Sequence, residues 1–386
     1  MAPSYQLPDL PSLSRSFELR ANPACKITTK ASEASLIESK STNGSHVLSS
    51  LERERLAAMK VGLLAAICFP GSDPTQLRLL TDFLTLTVLA TRRVKYATLS
   101  PQVLTYWTTV DDNDGVWSLV HHDMFNCLKE PLERLASKAN QNWKARFGSS
   151  VKSFRIAQCS SVTEDMDILD PEIETYLSMN RDLSGLSMIF DLFELTQNLT
   201  LTVTDETITR TLDKLKVLAT DIVSCSVDVA AFNYDQARGN EKNLISLLMR
   251  HKRLSVQGAL NYAGTLIKQY IDAFMAEERS LLDPTPSPPS NGSSLIPSWI
   301  PFTPLVASAT AIPPSTPPDP VSKADLTVYV QMLRDCIVGT LNWIYETDLY
   351  FGKKGEEIRT FGWIFLSPKV QNNDSEREVP GDNVLP

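Results

Sequence analysis

Acidic side chains that could bind a divalent cation cluster at residues 110–115, in the sequence VDDNDG. Asp111, Asp112 and Asp114 carry the hard oxygen ligands that Mg²⁺ and Ca²⁺ prefer. The cluster ends in Asn-Asp-Gly, however, and aspartates in such turn-forming sequences more often cap helices or face solvent. The nearby sequence 121–123 (HHD) adds little, because adjacent residues on a helix face different directions. We therefore interpret the segment as a solvated turn rather than a metal site.

A second group of residues that could do chemistry is cationic. Arg92, Arg93 and Lys95 lie at the end of segment 75–96, which is apolar on nearly every face for its first four turns. This pattern is typical of a buried central helix whose end reaches the mouth of a cavity. Grouped cations can bind an anion directly, although basic residues are also ordinary at a helix end that faces solvent.

Helical periodicity dominates the chain outside these clusters, and strand-like alternation is nearly absent. Besides 75–96, the sequence predicts helices over 117–138, 142–158, 169–180, 184–197, 207–232, 240–250, 254–281 and 322–350. None of the 15 glycines forms a GxGxxG or GxxxxGK[ST] loop, so a phosphate-binding turn between strand and helix is excluded. The predicted fold class is all-α. A chain of 386 residues with 42% apolar side chains can form one such domain.

Composition divides the chain into five parts. Residues 1–50 are rich in Ser, Thr and Pro without a sustained period, which predicts an extended N-terminal strap; residues 51–282 form the helical domain. The proline-dense segment 283–321 predicts a flexible surface loop, although its apolar centre could instead pack on the domain. Residues 322–365 complete the domain with a helix and a cap, and 366–386 are predicted to be a disordered tail.

Charge and composition exclude several classes of function. A net charge of -8 gives no basic field for a polyanion, so nucleic acid is not an expected partner. No stretch reaches the roughly 18 apolar residues of a membrane span, and the N-terminal sequence lacks the pattern of a signal peptide, which predicts a cytoplasmic protein. The six cysteines form no CxxC pair, which argues against a disulfide framework or a zinc site.

Four segments, in this order, resemble the basidiomycete class I sesquiterpene synthases. They are GLLAAICFPGSDPTQLRLLTDFLTL (62–86), MNRDLSG (179–185), FNYDQARGNEKNLISLLM (232–249) and GTLNWIYETDLYFGKKGEEIRT (339–360). The resemblance covers nearly the whole chain. It implies a single α-helical bundle around a central apolar cavity and a cyclase that acts on farnesyl diphosphate, or another prenyl diphosphate, and releases diphosphate.

In that family, three Mg²⁺ ions are held by an Asp-rich motif and an Asn/Ser/Glu motif on facing helices. The metal is needed because a leaving group of about three negative charges departs into an apolar cavity only if concentrated positive charge receives it. An aromatic, water-free pocket then steers the carbocation through cyclisation. The resemblance points to Trp343 and Tyr350 as members of such a pocket.

Both metal-binding motifs are incomplete when they are transferred position by position. The Asp-rich motif falls at 91–95, where the chain has TRRVK and no carboxylate. The Asn/Ser/Glu motif falls on Val227, Ala231 and Asp235, with Asp228 retained beside the first position. Mg²⁺ requires hard oxygen ligands in a near-octahedral arrangement. Most Mg²⁺ ligands are therefore absent, and Asp228 and Asp235 are residual metal candidates for one weakly held ion.

The groups that bind diphosphate are altered as well. Arg181 corresponds to the family's diphosphate-sensing arginine, although an ion pair with Asp182 or Glu174 explains it equally well. The family's terminal Arg-Tyr pair becomes Leu349-Tyr350, which leaves only the tyrosine.

Two functional hypotheses follow from this altered set of residues. In the first, the chain is a sesquiterpene synthase that works through weak metal binding or binds diphosphate directly with Arg92, Arg93, Lys95, Arg181 and Tyr350. In the second, it is a non-catalytic relative that binds a prenyl diphosphate or a partner protein. Fold alone does not decide between them.

Overall fold

The computed structural model describes residues 4–41, 44–96, 124–162, 171–201, 205–282 and 323–369. These residues are mostly helical, which confirms the predicted all-α class. Two three-residue strands, β1 (Ser4–Gln6) and β2 (Trp363–Phe365), pair antiparallel and join the two ends of this part of the chain, with Tyr5 opposite Ile364. The predicted cluster at 110–115, the sequence 121–123, the proline-dense segment 283–321 and the tail from 370 onward lie outside the described residues.

Fifteen α-helices lie within the described residues. In chain order they are α1 (Leu10–Leu13), α2 (Cys25–Glu38), α3 (Ser50–Arg55), α4 (Val61–Cys68), α5 (Pro74–Lys95), α6 (Lys129–Ala136), α7 (Gln141–Val162), α8 (Ile173–Ser184), α9 (Leu186–Thr196), α10 (Glu206–Ala237), α11 (Leu244–His251), α12 (Val256–Leu282), α13 (Lys323–Glu346), α14 (Asp348–Phe351) and α15 (Gly355–Phe361). None of these helices combines the length and the apolar character needed to cross a membrane.

Helix α5 runs through the core, as its apolar sequence predicts. It begins at Pro74 behind Asp73, whose carboxylate accepts hydrogen bonds from the backbone N–H groups of Thr75 and Gln76. Three buried threonines, Thr81, Thr85 and Thr87, each donate to the carbonyl four residues earlier, so their hydroxyls are satisfied within the helix. The helix can therefore be buried on most sides, and its cationic C-terminal end lies inside the bundle.

Helix α10 is the longest helix in the described part of the chain and lies at the centre of the packing. Asp205 caps its N-terminus, and the helix packs against α12 and α13 along most of its length. Its C-terminal half also contacts α8, α11 and α14. The predicted helix 207–232 is thus correct in place but ends five residues too early, because Phe232 to Ala237 continue the helix into the site described below.

Two other boundaries differ from the sequence-based expectation. Within the predicted helix 117–138, the structure describes a 3-10 turn at Asn126–Leu128 and α6. The predicted helix 322–350 is divided at Thr347, whose hydroxyl donates to the carbonyl of Met59 and accepts from the N–H of Leu349. This polar side chain starts α14 anew and redirects it, and no periodicity signal marks that change.

The predicted extended strap contains a fourteen-residue helix, α2, packed against α4 and α5. The helical period was missed because the buried face of α2 uses Thr28 and Ser32 beside Leu36, so it lacks an apolar stripe. Close approach needs small side chains here: a Cβ on Gly62 of α4 would overlap Thr29. At the other end, Ser367 in the predicted tail is held by Asn233 and by Gln236 of α10.

Gly355 provides a test of how tightly the C-terminal cap is packed. A Cβ at this position would overlap the backbone carbonyl of Tyr345 in α13. We expect Gly355→Ala to lower the free energy of unfolding by about 3 kcal/mol, because backbone must move to accommodate the methyl group. Denaturant unfolding measures the change. Gly71→Ala, where the added Cβ meets nothing within 4 Å, is the matched control. Equal stability of the two variants would contradict this packing.

Candidate functional site

The C-terminal end of α5 meets the C-terminal half of α10 through one ion-pair cluster. The Nζ atom of Lys95 lies 2.8 Å from Oδ2 of Asp235 and 3.4 Å from Oδ1 of Asp228. The two aspartates are seven residues apart and therefore lie on one face of α10. Their side chains are 4% and 0% exposed, and that of Lys95 is 16% exposed. We refer to these three residues as the lysine cluster.

The carboxylate of Asp228 is further bonded by α8 and α11. The hydroxyl of Tyr176 donates to its Oδ2 at 2.6 Å, and the Asn180 side-chain amide donates to the same oxygen at 3.3 Å. The backbone N–H of Leu244, at the N-terminus of α11, adds a third donor at 3.2 Å. Every contact to this carboxylate is thus a hydrogen-bond donor or a cation.

The carboxylate of Asp235 is surrounded in the same way. The hydroxyl of Tyr96 donates to its Oδ1 at 2.8 Å, and the side-chain amide of Asn243 donates to its Oδ2 at 2.8 Å. Asn243 also caps α11 by accepting from the backbone N–H of Ile245. One amide side chain therefore caps α11 and donates a hydrogen bond that stabilises the buried carboxylate of Asp235.

Burial and ion pairing oppose each other in this cluster. Burial lowers the pKa of Lys95, but Asp235 and Asp228 outweigh it, so its pKa lies well above the ordinary value and the ammonium stays charged. Burial raises the pKa of Asp228 above its ordinary value, although Lys95 and the Tyr176 hydroxyl act in the opposite direction. The favoured state is an ammonium held between two carboxylates in a desolvated environment.

This arrangement does not fit Mg²⁺. All four carboxylate oxygens already accept bonds, and the ammonium occupies the point that both carboxylates reach. Lysine, tyrosine hydroxyl and amide N–H donors complement carboxylates rather than a metal ion. Across the described ranges, no group of three or more His, Cys, Asp or Glu could hold a metal. Asp228 and Asp235, the residual metal candidates of the sequence analysis, are the counterions of Lys95 in this structure.

The four predicted cations do not converge on one anion site. Arg93 leaves α5 on another side and makes two hydrogen bonds to the Glu52 carboxylate, at 2.7 and 2.6 Å, with a third to the carbonyl of Val47. Arg181 makes a bidentate pair with Asp221, at 2.6 and 3.0 Å. That carboxylate belongs to α10, so neither alternative proposed from the sequence is the partner of Arg181.

Arg92 is the predicted cation that remains next to Tyr350. Its guanidinium lies 5.1 Å from the ring centre of Tyr96 and 5.7 Å from that of Tyr234. Tyr350 approaches the same guanidinium from α14 and packs edge-on against Trp343, with ring centres 6.0 Å apart. Burial raises the pKa of Tyr350 to about 12, so this phenol is neutral at pH 7. Within the described residues, no carboxylate lies within ion-pair distance of Arg92.

Several residues of this site were not identified from the sequence. Asp221 had a usable signal, because Asp221, Asp228 and Asp235 recur every seven residues along one helix. Tyr176 and Tyr96 had none, since nothing in their local sequence indicates a partner more than fifty residues away.

Comparison with known proteins agrees with this architecture. The family profile described as "Terpene synthase family 2, C-terminal metal binding" matches residues 97–273. Sesquiterpene synthase 6 of Postia placenta is 27% identical over 372 residues, covering 95% of this chain and 96% of its own length. A sesquiterpene synthase of Cyclocybe aegerita is 26% identical over 373 residues, covering 94% and 93%. The alpha-muurolene synthase of Coprinopsis cinerea is 26% identical, covering 81% and 67%.

Solved structures show the same fold. A variant of cucumene synthase superimposes with a TM-score of 0.61 at 15% identity, covering 86% of this chain and 98% of that one. Hedycaryol synthase in complex with nerolidol gives a TM-score of 0.58 at 15% identity, covering 89% and 99%. The fold is that of a terpene synthase. By sequence, the chain is similar to fungal sesquiterpene synthases over more than nine tenths of its length, which confirms the resemblance, and the matching profile is described as one of metal binding.

The ion pair of Arg181 is open to a direct test. Arg181→Met is expected to lower the free energy of unfolding by roughly 2 kcal/mol, because the buried Asp221 loses its counterion. The double variant Arg181→Met/Asp221→Asn removes the unpaired charge and is expected to recover part of this loss. A double-mutant cycle based on denaturant unfolding measures the coupling. Strictly additive effects would mean that Arg181 does not depend on Asp221 and is available to a ligand.

Proposed function

We propose that this protein binds a prenyl diphosphate, in the first instance farnesyl diphosphate, without the Mg²⁺-dependent ionisation that the family resemblance implies. The substrate class follows from kinship with proteins named sesquiterpene synthases along more than nine tenths of the chain. The observation that carries the proposal is the position of Lys95, which fills the place between Asp228 and Asp235 that a metal would have to occupy.

The charge balance argues against ionisation at this site. Within the lysine cluster one positive charge faces two negative charges, so Lys95 has no positive charge to spare for a leaving group. Adding Arg92 only brings the sum to neutrality. A diphosphate leaves into a low-dielectric pocket only if an excess of positive charge stabilises it. Each opposite unit charge 4 Å away contributes about 4 kcal/mol of attraction at an effective dielectric of 20. The lysine cluster and Arg92 together do not supply that excess.

Binding requires less positive charge than ionisation, and Arg92 supplies a suitable group. Arg92 is a partly buried residue whose guanidinium faces tyrosine rings instead of a carboxylate, so its charge is not cancelled within the described residues. A phosphate oxygen next to Arg92 would accept charge-assisted hydrogen bonds, and the Tyr350 hydroxyl could donate another. The neighbouring apolar packing of Trp343 and Tyr350 suits an isoprenoid chain.

A second candidate function is sesquiterpene synthase activity. It is favoured by the near-complete coverage of relatives that carry this name. Metal ligands would then have to come from outside the described residues, for example from the aspartates of segment 110–115, which lies inside the profile match at 97–273. Turnover and metal dependence distinguish the two candidates.

Turnover is tested by incubating the purified protein with farnesyl diphosphate in Mg²⁺ or in EDTA. We expect neither volatile product by gas chromatography nor released diphosphate in either condition, because the described site lacks metal ligands and surplus positive charge. An active fungal sesquiterpene synthase, treated in parallel, shows that the assay works. Product that requires Mg²⁺ would establish the second candidate, and product that persists in EDTA would show ionisation by the cations alone.

Binding is tested by isothermal titration calorimetry with farnesyl diphosphate in EDTA. We expect Arg92→Met to weaken binding roughly tenfold or more, because one charge-assisted hydrogen bond is lost. Arg93→Met is the matched control, since it removes the same charge one residue away from a side chain that is bound to Glu52. Farnesol, titrated separately, reports the contribution of the isoprenoid chain. Equal affinities of the two variants, or no binding by the wild type, would contradict the proposal.

A further inference from the structure

Lys95 stands at a position where the family resemblance places part of an acidic metal-binding motif, and its side chain reaches across to the other motif. It bridges Asp235 at 2.8 Å and Asp228 at 3.4 Å from the end of α5. We propose that the Lys95 ammonium is a built-in substitute for a divalent cation, which keeps the ends of α5 and α10 joined when no metal is present. This inference goes beyond ligand binding and does not depend on the proposed function.

The first argument is the cost of the two carboxylates. Asp228 and Asp235 are almost fully buried, and a buried carboxylate without a counterion is strongly destabilising. In the described part of the chain, Lys95 is the only cation within ion-pair distance of either. Without this ammonium, the C-terminal half of α10 would need another cation to keep both aspartates in place.

The second argument is that one small charge contacts both carboxylates at once. A lysine ammonium is a compact point charge with three donors, so it can bridge two oxygens in the way that a metal ion does. A planar guanidinium at the same place would have to satisfy a fixed fork geometry instead. The remaining donors, from Tyr176, Tyr96 and Asn243, stabilise the carboxylates whichever cation lies between them.

The third argument is that a second ion pair, on another side of α5, also holds its C-terminal end. Arg93 joins it to Glu52 of α3 while Lys95 joins it to α10. Burial raises the pKa of Glu52, but the bonds from Arg93 and Ser49 outweigh this, so its pKa is lowered and the pair is ionised at neutral pH. Two partly buried cations therefore form ion pairs at the same helix end. Arg93 pairs with one carboxylate, whereas Lys95 pairs with two. This difference supplies a control.

The inference is tested by removing the ammonium and offering a metal ion. In Lys95→Met, two buried carboxylates lose their counterion, and we expect the melting temperature at pH 7.5 to fall by roughly 3–6 °C. Millimolar Mn²⁺ or Mg²⁺ is expected to restore most of that loss, because a divalent cation can take the vacated place. The wild type is expected to show no such response. Ionic strength is held constant with NaCl, and melting is followed by circular dichroism.

Two further variants make the outcome decisive. Arg93→Met should lose stability without rescue by a divalent ion, because it leaves a single carboxylate behind. Lys95→Met/Asp235→Asn should be less destabilised than Lys95→Met and should lose the metal response. If Lys95→Met does not fold, Lys95→Gln, which keeps a donor without the charge, replaces it with the same expectation. The inference is overturned if the Lys95 variants melt like the wild type, or if metal raises their melting temperature no more than that of Arg93→Met.

Discussion

The structure depends on the charge of three buried aspartates along one face of α10. Asp221, Asp228 and Asp235 recur every seven residues, and each is at most 3% exposed. Burying an unpaired carboxylate costs several kcal/mol, so the helices that pack on this face must bring cations with them. Arg181 of α8 is the counterion of Asp221, and Lys95 of α5 is the counterion of Asp228 and Asp235. The position of α8 against α10, and of the C-terminal end of α5 beside it, is therefore set by electrostatics as well as by apolar packing.

Much of the fold was predictable because its core helices are long and apolar. Segment 75–96 indicates a buried helix from its composition alone, and the structure has α5 at Pro74–Lys95. Helix α2 was not predictable in the same way, because a helix that buries Thr28 and Ser32 looks polar in sequence. Thr347 shows a third case: one hydroxyl that bonds across to Met59 interrupts a helix whose local sequence is continuous.

The candidate site was predictable only in part. Transfer of motifs by position located Lys95, Asp228 and Asp235 individually and showed that metal ligands are missing. It could not show that these residues neutralise one another, because Lys95 and Asp235 are distant in sequence and their pairing depends on where the end of α5 meets α10. The sequence also could not show which way the Arg93 side chain points. Neighbouring residues on a helix point to different sides, so a run of cations in the sequence is divided among separate partners in the structure.

The altered positions in the two motifs are physically coupled. Lys95 opposite a complete set of metal ligands would repel the ions, and a carboxylate at 95 opposite Asp228 and Asp235 would need metal to offset three negative charges. With lysine in place, further oxygen ligands on α10 have no cation to bind, and apolar side chains can take their positions. Ala231 is buried, and Val227 is partly buried and packs against the core. Asp228 and Asp235 remain necessary, because removing them would leave the Lys95 ammonium buried without a counterion. The lysine cluster is thus a self-consistent alternative to a metal site rather than an incomplete one.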